Sequence, residues 1–95
     1  MEFLVEVQVT FPPDGDPKLK ADLIAAEGRR AAELIEAGII RRLWRIPGRW
    51  ANVGLWEAPD ATALHEALVS LPLYPWLDFE VRPVAKHPSD PGPKY

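Results

Sequence analysis

A chain of 95 residues, 47% hydrophobic and 26% charged, has material for one hydrophobic core and no second domain, and its composition is not that of a disordered segment. The formal net charge of -3 leaves no electrostatic footprint for nucleic acid, since the Arg29-Arg30 and Arg41-Arg42 pairs are few and mixed with acids. The absence of cysteine excludes disulfides, thiol nucleophiles and thiolate metal sites.

The opening Met-Glu-Phe-Leu-Val-Glu breaks its apolar run with acids, so a signal peptide is not expected, and no run reaches membrane-spanning length. A cytoplasmic protein without membrane partners is the expectation.

Residues 3 to 11 alternate: Phe3, Val5, Val7, Val9 and Phe11 point one way and Leu4, Glu6, Gln8 and Thr10 the other, the period of a strand. Pro12, Pro13, Gly15 and Pro17 end it. Good helix formers run from about Lys18 to Ala37, and Gly38 supplies a stop. Residues 39 to 46 and 50 to 57 are rich in Ile, Leu, Val and Trp around Pro47-Gly48-Arg49, which predicts a hairpin. Asp60 is positioned to cap a second helix carrying Leu64, Leu68 and Leu71, which must end before Pro72. Leu77, Phe79 and Val81 alternate with Asp78, Glu80 and Arg82 in a last strand.

The order strand, helix, strand, strand, helix, strand predicts an α+β, ferredoxin-like βαββαβ fold, with two helices on one face of a four-stranded antiparallel sheet. Residues 1–85 form the predicted domain, and residues 86–95, with Pro88, Pro91 and Pro93, a Pro-rich tail. The third strand is apolar on both sides: Trp50, Asn52, Gly54 and Trp56 share one side, and Ala51, Val53 and Leu55 the other. One side packs on the helices; the uncovered one predicts a homo-oligomer, the competing reading being that long side chains such as Glu6, Gln8 and Arg82 shield it.

The first helix holds one acid out of place. At about 100° per residue from Leu19, Leu23 falls near 40°, Leu34 near 60°, Ala31 near 120°, Ile24 near 140° and Ile35 near 160°. Glu27 falls at about 80°, inside this arc, whereas Asp22, Glu33 and Glu36 lie on the opposite one. Two readings fit an inward carboxylate. Burial favours its neutral form and makes it a better base, as a general base near neutral pH requires; alternatively it forms a buried ion pair with Arg42 or Arg45.

Ala-Ala-Glu27, Gly38, Leu43-Trp44-Arg45, Gly48, Ala51-Asn52, Leu64-His65-Glu66, Leu71-Pro72-Leu73, Pro75 and His87-Pro88-Ser89, taken in order, resemble muconolactone Δ-isomerase nearly end to end. The resemblance implies a ferredoxin-like chain that pairs through its sheets into an α/β-barrel type dimer, and then into larger rings such as a decamer. It implies a cofactor-independent isomerase that converts muconolactone to 3-oxoadipate enol-lactone in catechol breakdown.

In that chemistry Glu27 would remove the ring proton gamma to the carbonyl and return it at the alpha carbon. Asn52, with Gly54 leaving room beside it, is the candidate donor to the developing oxyanion; the competing reading is that its amide satisfies a hairpin backbone group. The substrate carboxylate calls for a cation, and Arg45, Arg41, Lys86 and His87 are the candidates in that order. Trp50 stands where this family usually carries a tyrosine; Leu4 and Glu6 also depart from it, toward a less polar pocket and a different substrate.

His65 lies near the apolar stripe of the second helix, where a lone histidine is ordinarily a packing or surface residue. With only His65 and His87 and no paired spacing, neither a metal nor a cofactor is expected. Trp44, Trp56 and Trp76 fit core and interface packing. Rival readings are a paralogue acting on another lactone or enol, as isomerase or dehydrohalogenase, and a non-catalytic small-molecule binding module on the same fold.

Overall fold

The computed structural model describes residues 1–92. In chain order it contains β1 (Glu2–Val9), α1 (Pro17–Glu36), β2 (Ile40–Arg45), β3 (Ala51–Glu57), α2 (Ala61–Val69), a 3₁₀ turn at Tyr74–Trp76, and β4 (Leu77–Val84). All strand pairs are antiparallel and the sheet order is β2-β3-β1-β4. The βαββαβ expectation is met, with boundaries shifted by a residue or two.

Local chemistry sets the element ends. Asp16 accepts from the Lys18 N–H, and Pro17 supplies the first helical φ of α1. Gly38, at φ +77°, closes that helix in the left-handed region where a side chain is strained. Asp60 caps α2 by accepting from the Ala63 N–H at 2.8 Å. The 3₁₀ turn that leads into β4 has no periodic signature in the sequence; it forms as Tyr74 and Trp76 donate to the carbonyls of Leu71 and Leu73.

The register defines two sheet faces. Phe3 lies opposite Trp56, Val5 opposite Gly54 and Val7 opposite Asn52, and these residues look toward the helices. Phe3, Val5, Val7, Leu34, Ile40, Trp56, Leu64, Leu68 and Leu71 form the core there. The other face carries Leu4, Glu6, Val53, Leu55, Trp44, Glu80, Arg82 and Val84, and no helix covers it. Trp44 and Val84 are exposed, and Leu4, Val53 and Leu55 half-buried. At the margins of the sheet, β4 contains Pro83, and the β2–β3 register slips between Ile40 and Arg42.

The inward arc of α1 is narrower than the sequence suggests. Leu23, Glu27, Ala31 and Leu34 form a partly buried to buried seam, but Leu19, Ile24 and Ile35 are exposed. A single flank of a helix on a flat sheet meets only about three residues per two turns, so the outer apolar positions stay outside. Beyond Val84, residues 85–92 run without helix or strand; residues 93–95 of the expected tail lie outside the described residues. No helix among the described residues is long and apolar enough to cross a membrane.

Candidate active site

Glu27 sits midway along α1, between Leu23 and Ala31 of the buried seam. Its Oε1 accepts a hydrogen bond of 3.0 Å from the Leu73 backbone N–H. Leu73 belongs to the Leu71-Pro72-Leu73 connector, whose preceding residues pack into the core as the end of α2. Among the described residues, this backbone amide takes the place of the Arg42 or Arg45 guanidinium weighed from the sequence. A neutral donor fixes the carboxylate without a neutralising charge. Burial therefore raises the Glu27 carboxyl above the ordinary glutamate value, and the Leu73 bond offsets part of that rise.

Leu73 precedes Trp76, whose carbonyl accepts from Thr10, and Leu77 pairs with Val9. Glu27 thus lies toward the end of the sheet where β1 finishes and β3 begins. Trp50 is at that same end: its carbonyl accepts from the Val9 N–H, and Lys20 Nζ stands 5.0 Å from its ring centroid. Asn52 follows on the helix-facing side, and Arg45 lies directly across from it on β2. Trp50, Asn52 and Arg45 thus lie on the helix-facing side at the same end of the sheet as the Leu73 amide that holds Glu27, with Asn52 half-buried and Arg45 exposed.

The other cations are elsewhere. Arg41 pairs with Glu57 at the opposite end of the sheet. Lys86 and His87 follow Val84, which lies opposite Glu2, and they line a surface concavity with Glu2, Leu55 and Asp90. Eight residues of strand, about 25 Å, separate the two ends. Within one chain, Arg41, Lys86 and His87 are not gathered with Glu27. Leu4 and Glu6 also belong elsewhere: they line a small cavity of about 40 Å³ on the open face, with Val53, Glu80 and Arg82. They therefore do not shape a pocket at Glu27 of the same chain, contrary to the expectation from the sequence. His65 is exposed, on the outer side of α2.

The room expected at Gly54 beside Asn52 is filled: a Cβ on residue 54 would meet Leu43 Cδ2 at 2.7 Å and Trp56 Nε1 at 3.1 Å. Sequence reasoning also passes over Lys20, which falls at about 100° on the wheel that places Glu27 at about 80°. Attention to cations on that arc, as well as to acids, finds it.

This backbone and these residues align with proteins of known kind. The muconolactone delta-isomerase family model matches residues 1–90. The chain belongs to the muconolactone delta-isomerase family. Muconolactone Delta-isomerase of Pseudomonas aeruginosa is 42% identical over 89 residues, covering 94% of this chain and 93% of that protein. The Rhodococcus opacus protein of the same name is 39% identical over 88 residues, covering 93% and 95%. A crystal structure of muconolactone isomerase superposes with a TM-score of 0.89 at 41% identity, covering 95% of this chain and 94% of that one. The four-stranded sheet with two helices is thus the architecture of a muconolactone isomerase as well as the one built from the residues upward.

Proposed function

We propose that this chain isomerises muconolactone, or a close analogue, to the corresponding enol-lactone, with Glu27 as the single acid–base group. The observation that carries this reading is the Glu27 carboxylate, held by a backbone amide within the apolar seam of α1, in a chain of this family. Oε1 is anchored by Leu73, and Oε2 takes the proton on the ring carbon gamma to the lactone carbonyl. The C–H electrons spread through the double bond onto the carbonyl oxygen as a dienolate. The same proton then returns to the alpha carbon, leaving the double bond shifted and the base restored.

General base catalysis contributes about a hundred- to ten-thousand-fold. The remainder requires donors at the developing oxyanion, a role assigned to Asn52. Arg45, across from Asn52, faces the substrate carboxylate, with Lys20 above Trp50 as a second cation on that side. None of these steps uses a cofactor.

The open, half-apolar sheet face supports a homo-oligomer built on a face-to-face dimer and extended to a ring such as a decamer. In that assembly Lys86, His87 and Arg41 serve a neighbouring subunit's site. A catalytic domain of residues 1–85, a tail of residues 86–95 and cytoplasmic residence belong to the same proposal.

The bulk of Trp50, together with Lys20 lying over its ring, favours a second reading in which a substituted lactone is the preferred substrate. Ultraviolet assay of the purified chain against plain, methylated and chlorinated muconolactones, without added cofactor, tests both readings. Turnover of none of them, with saturable binding instead, overturns the enzyme in favour of a binding module.

A further inference from the structure

Among the described residues, one buried side-chain nitrogen has no hydrogen-bond partner: Nε1 of Trp56. The residue is 2% exposed. An indole N–H is a donor and nothing else, and a buried donor without an acceptor is uncommon, because its lost hydration is uncompensated. Apolar packing alone makes no use of this N–H.

The geometry shows where this donor lies. Trp56, Gly54 and Asn52 occupy alternate positions on the helix-facing side of β3. The indole leans back over Gly54, with Nε1 3.1 Å from the point where a Cβ of that residue would stand. It therefore extends toward Asn52 rather than away from it. Leu43 Cδ2, from β2, lies 2.7 Å from that same point and covers the patch from the side, and Leu43 is itself 44% exposed. Leu43 is thus a partly exposed side chain beside the point over which Nε1 stands.

We infer that Trp56 Nε1–H is a second hydrogen-bond donor to the lactone carbonyl oxygen, reached when the substrate displaces the Leu43 side chain, and acting with the Asn52 amide. The inference rests on the isomerase reading above, and it accounts for the one uncompensated buried side-chain atom among the described residues. Two donors on one side of the sheet, with a glycine between them, match the need to hold an oxygen whose negative charge grows as the gamma proton leaves. The donor's pairing is completed only with substrate bound, so its contribution rises along the reaction coordinate instead of being used on a resting partner.

The test replaces Trp56 by phenylalanine and, separately, by β-(benzothiophen-3-yl)alanine, which keeps the bicyclic shape and exchanges N–H for sulfur. If Nε1 serves the carbonyl, the benzothiophene variant keeps the wild-type melting profile while kcat falls about ten- to a thousand-fold with KM little changed. Unchanged kcat in that variant, or a rise in KM alone, overturns the assignment while leaving the isomerase reading intact. An independent readout does not depend on turnover. In ¹⁵N-labelled protein the Trp56 indole cross-peak, assigned by its absence from Trp56→Phe, moves downfield on titration with a saturated lactone carboxylate. A peak that stays put while the Asn52 side-chain resonances shift overturns the inference. A wild-type chain that turns over no lactone overturns the reading on which the inference rests, and the titration then still decides whether Nε1 meets a ligand oxygen.

Discussion

Glu27 and Leu73 lie 46 residues apart and meet through one bond of 3.0 Å, from the Leu73 backbone N–H to Oε1 of the carboxylate. The bond ties the middle of α1 to the connector that follows α2. It holds the proposed base by a main-chain atom that, proline apart, no substitution at residue 73 removes.

The first prediction concerns Glu27→Gln. Burial lifts the folded-state pKa above the unfolded value, so the folded chain holds this proton more tightly than the unfolded one. Glu27 therefore costs stability as pH rises through the interval between the two values, and costs nothing below it. Glu27→Gln should abolish turnover, raise the melting temperature near pH 8, and lose that advantage below the ordinary glutamate range. Melting curves at both pH values, together with the lactone assay, check this; a variant less stable than wild type at pH 8 contradicts it.

The acid limb of kcat/KM should fall at a pH above the ordinary glutamate value, since the free enzyme must hold Glu27 ionised to act. The Leu73 bond lowers the carboxyl's pKa. Replacing the amide that precedes Leu73 by an ester, through semisynthesis, removes the N–H and keeps the side chain. The limb should then move to higher pH. A shift to lower pH would contradict the assigned role of this bond.

Asn52 and Arg45 lie across from each other, and the proposed reaction assigns them different duties, so their variants should separate. Asn52→Ala should lower kcat by about a hundred- to a thousand-fold, the effect of losing one oxyanion donor. Arg45→Ala should raise KM by about ten- to a hundredfold with kcat nearly unchanged, as expected for about 1.5 to 3 kcal/mol of charge-assisted binding. Steady-state kinetics on the two proteins distinguishes these patterns.

Gly54→Ala should destabilise the fold by about 1 to 3 kcal/mol, because overpacking at a filled position forces its neighbours to move. Leu43 can turn aside, but the Arg42 carbonyl, 2.9 Å from the added methyl, is main chain. Chemical denaturation reads the difference. The loss should persist in a Leu43→Ala background, since the backbone contact remains.

Val53 lies on the open sheet face, half-buried and lining its small cavity. Val53→Arg should shift the sedimentation profile toward monomer without changing the circular dichroism spectrum. A monomeric wild-type chain would remove the oligomer from the proposal.

Much of this is written locally in the chain. The strand alternation of Phe3, Val5 and Val7, the caps Asp16 and Asp60, and the inward angle of Glu27 depend on residues within a turn or two of one another. What the sequence hides is non-local. The Leu73 amide reaches Glu27 only after α2 and its connector have docked, so an arginine partner looks equally reasonable beforehand. The same limit hides the position of Lys86 and His87, whose distance from Glu27 follows from β4 running antiparallel to β1. Leu4 and Glu6 escape correct placement because alternation tells which residues share a face, whereas the docking of the helices decides which face is which.

Pro83 and the register slip between Ile40 and Arg42 have a consequence for how copies associate. β4 and β2 are the two edge strands; one lacks a backbone donor at residue 83, and the other is bent out of a regular ladder at its start. Each is a poor template for a further strand, so end-to-end sheet extension, the route to fibrous aggregates, is blunted on both sides. The molecule's readiest sticky surface is therefore the broad side of the sheet, the side through which the proposed dimer would close.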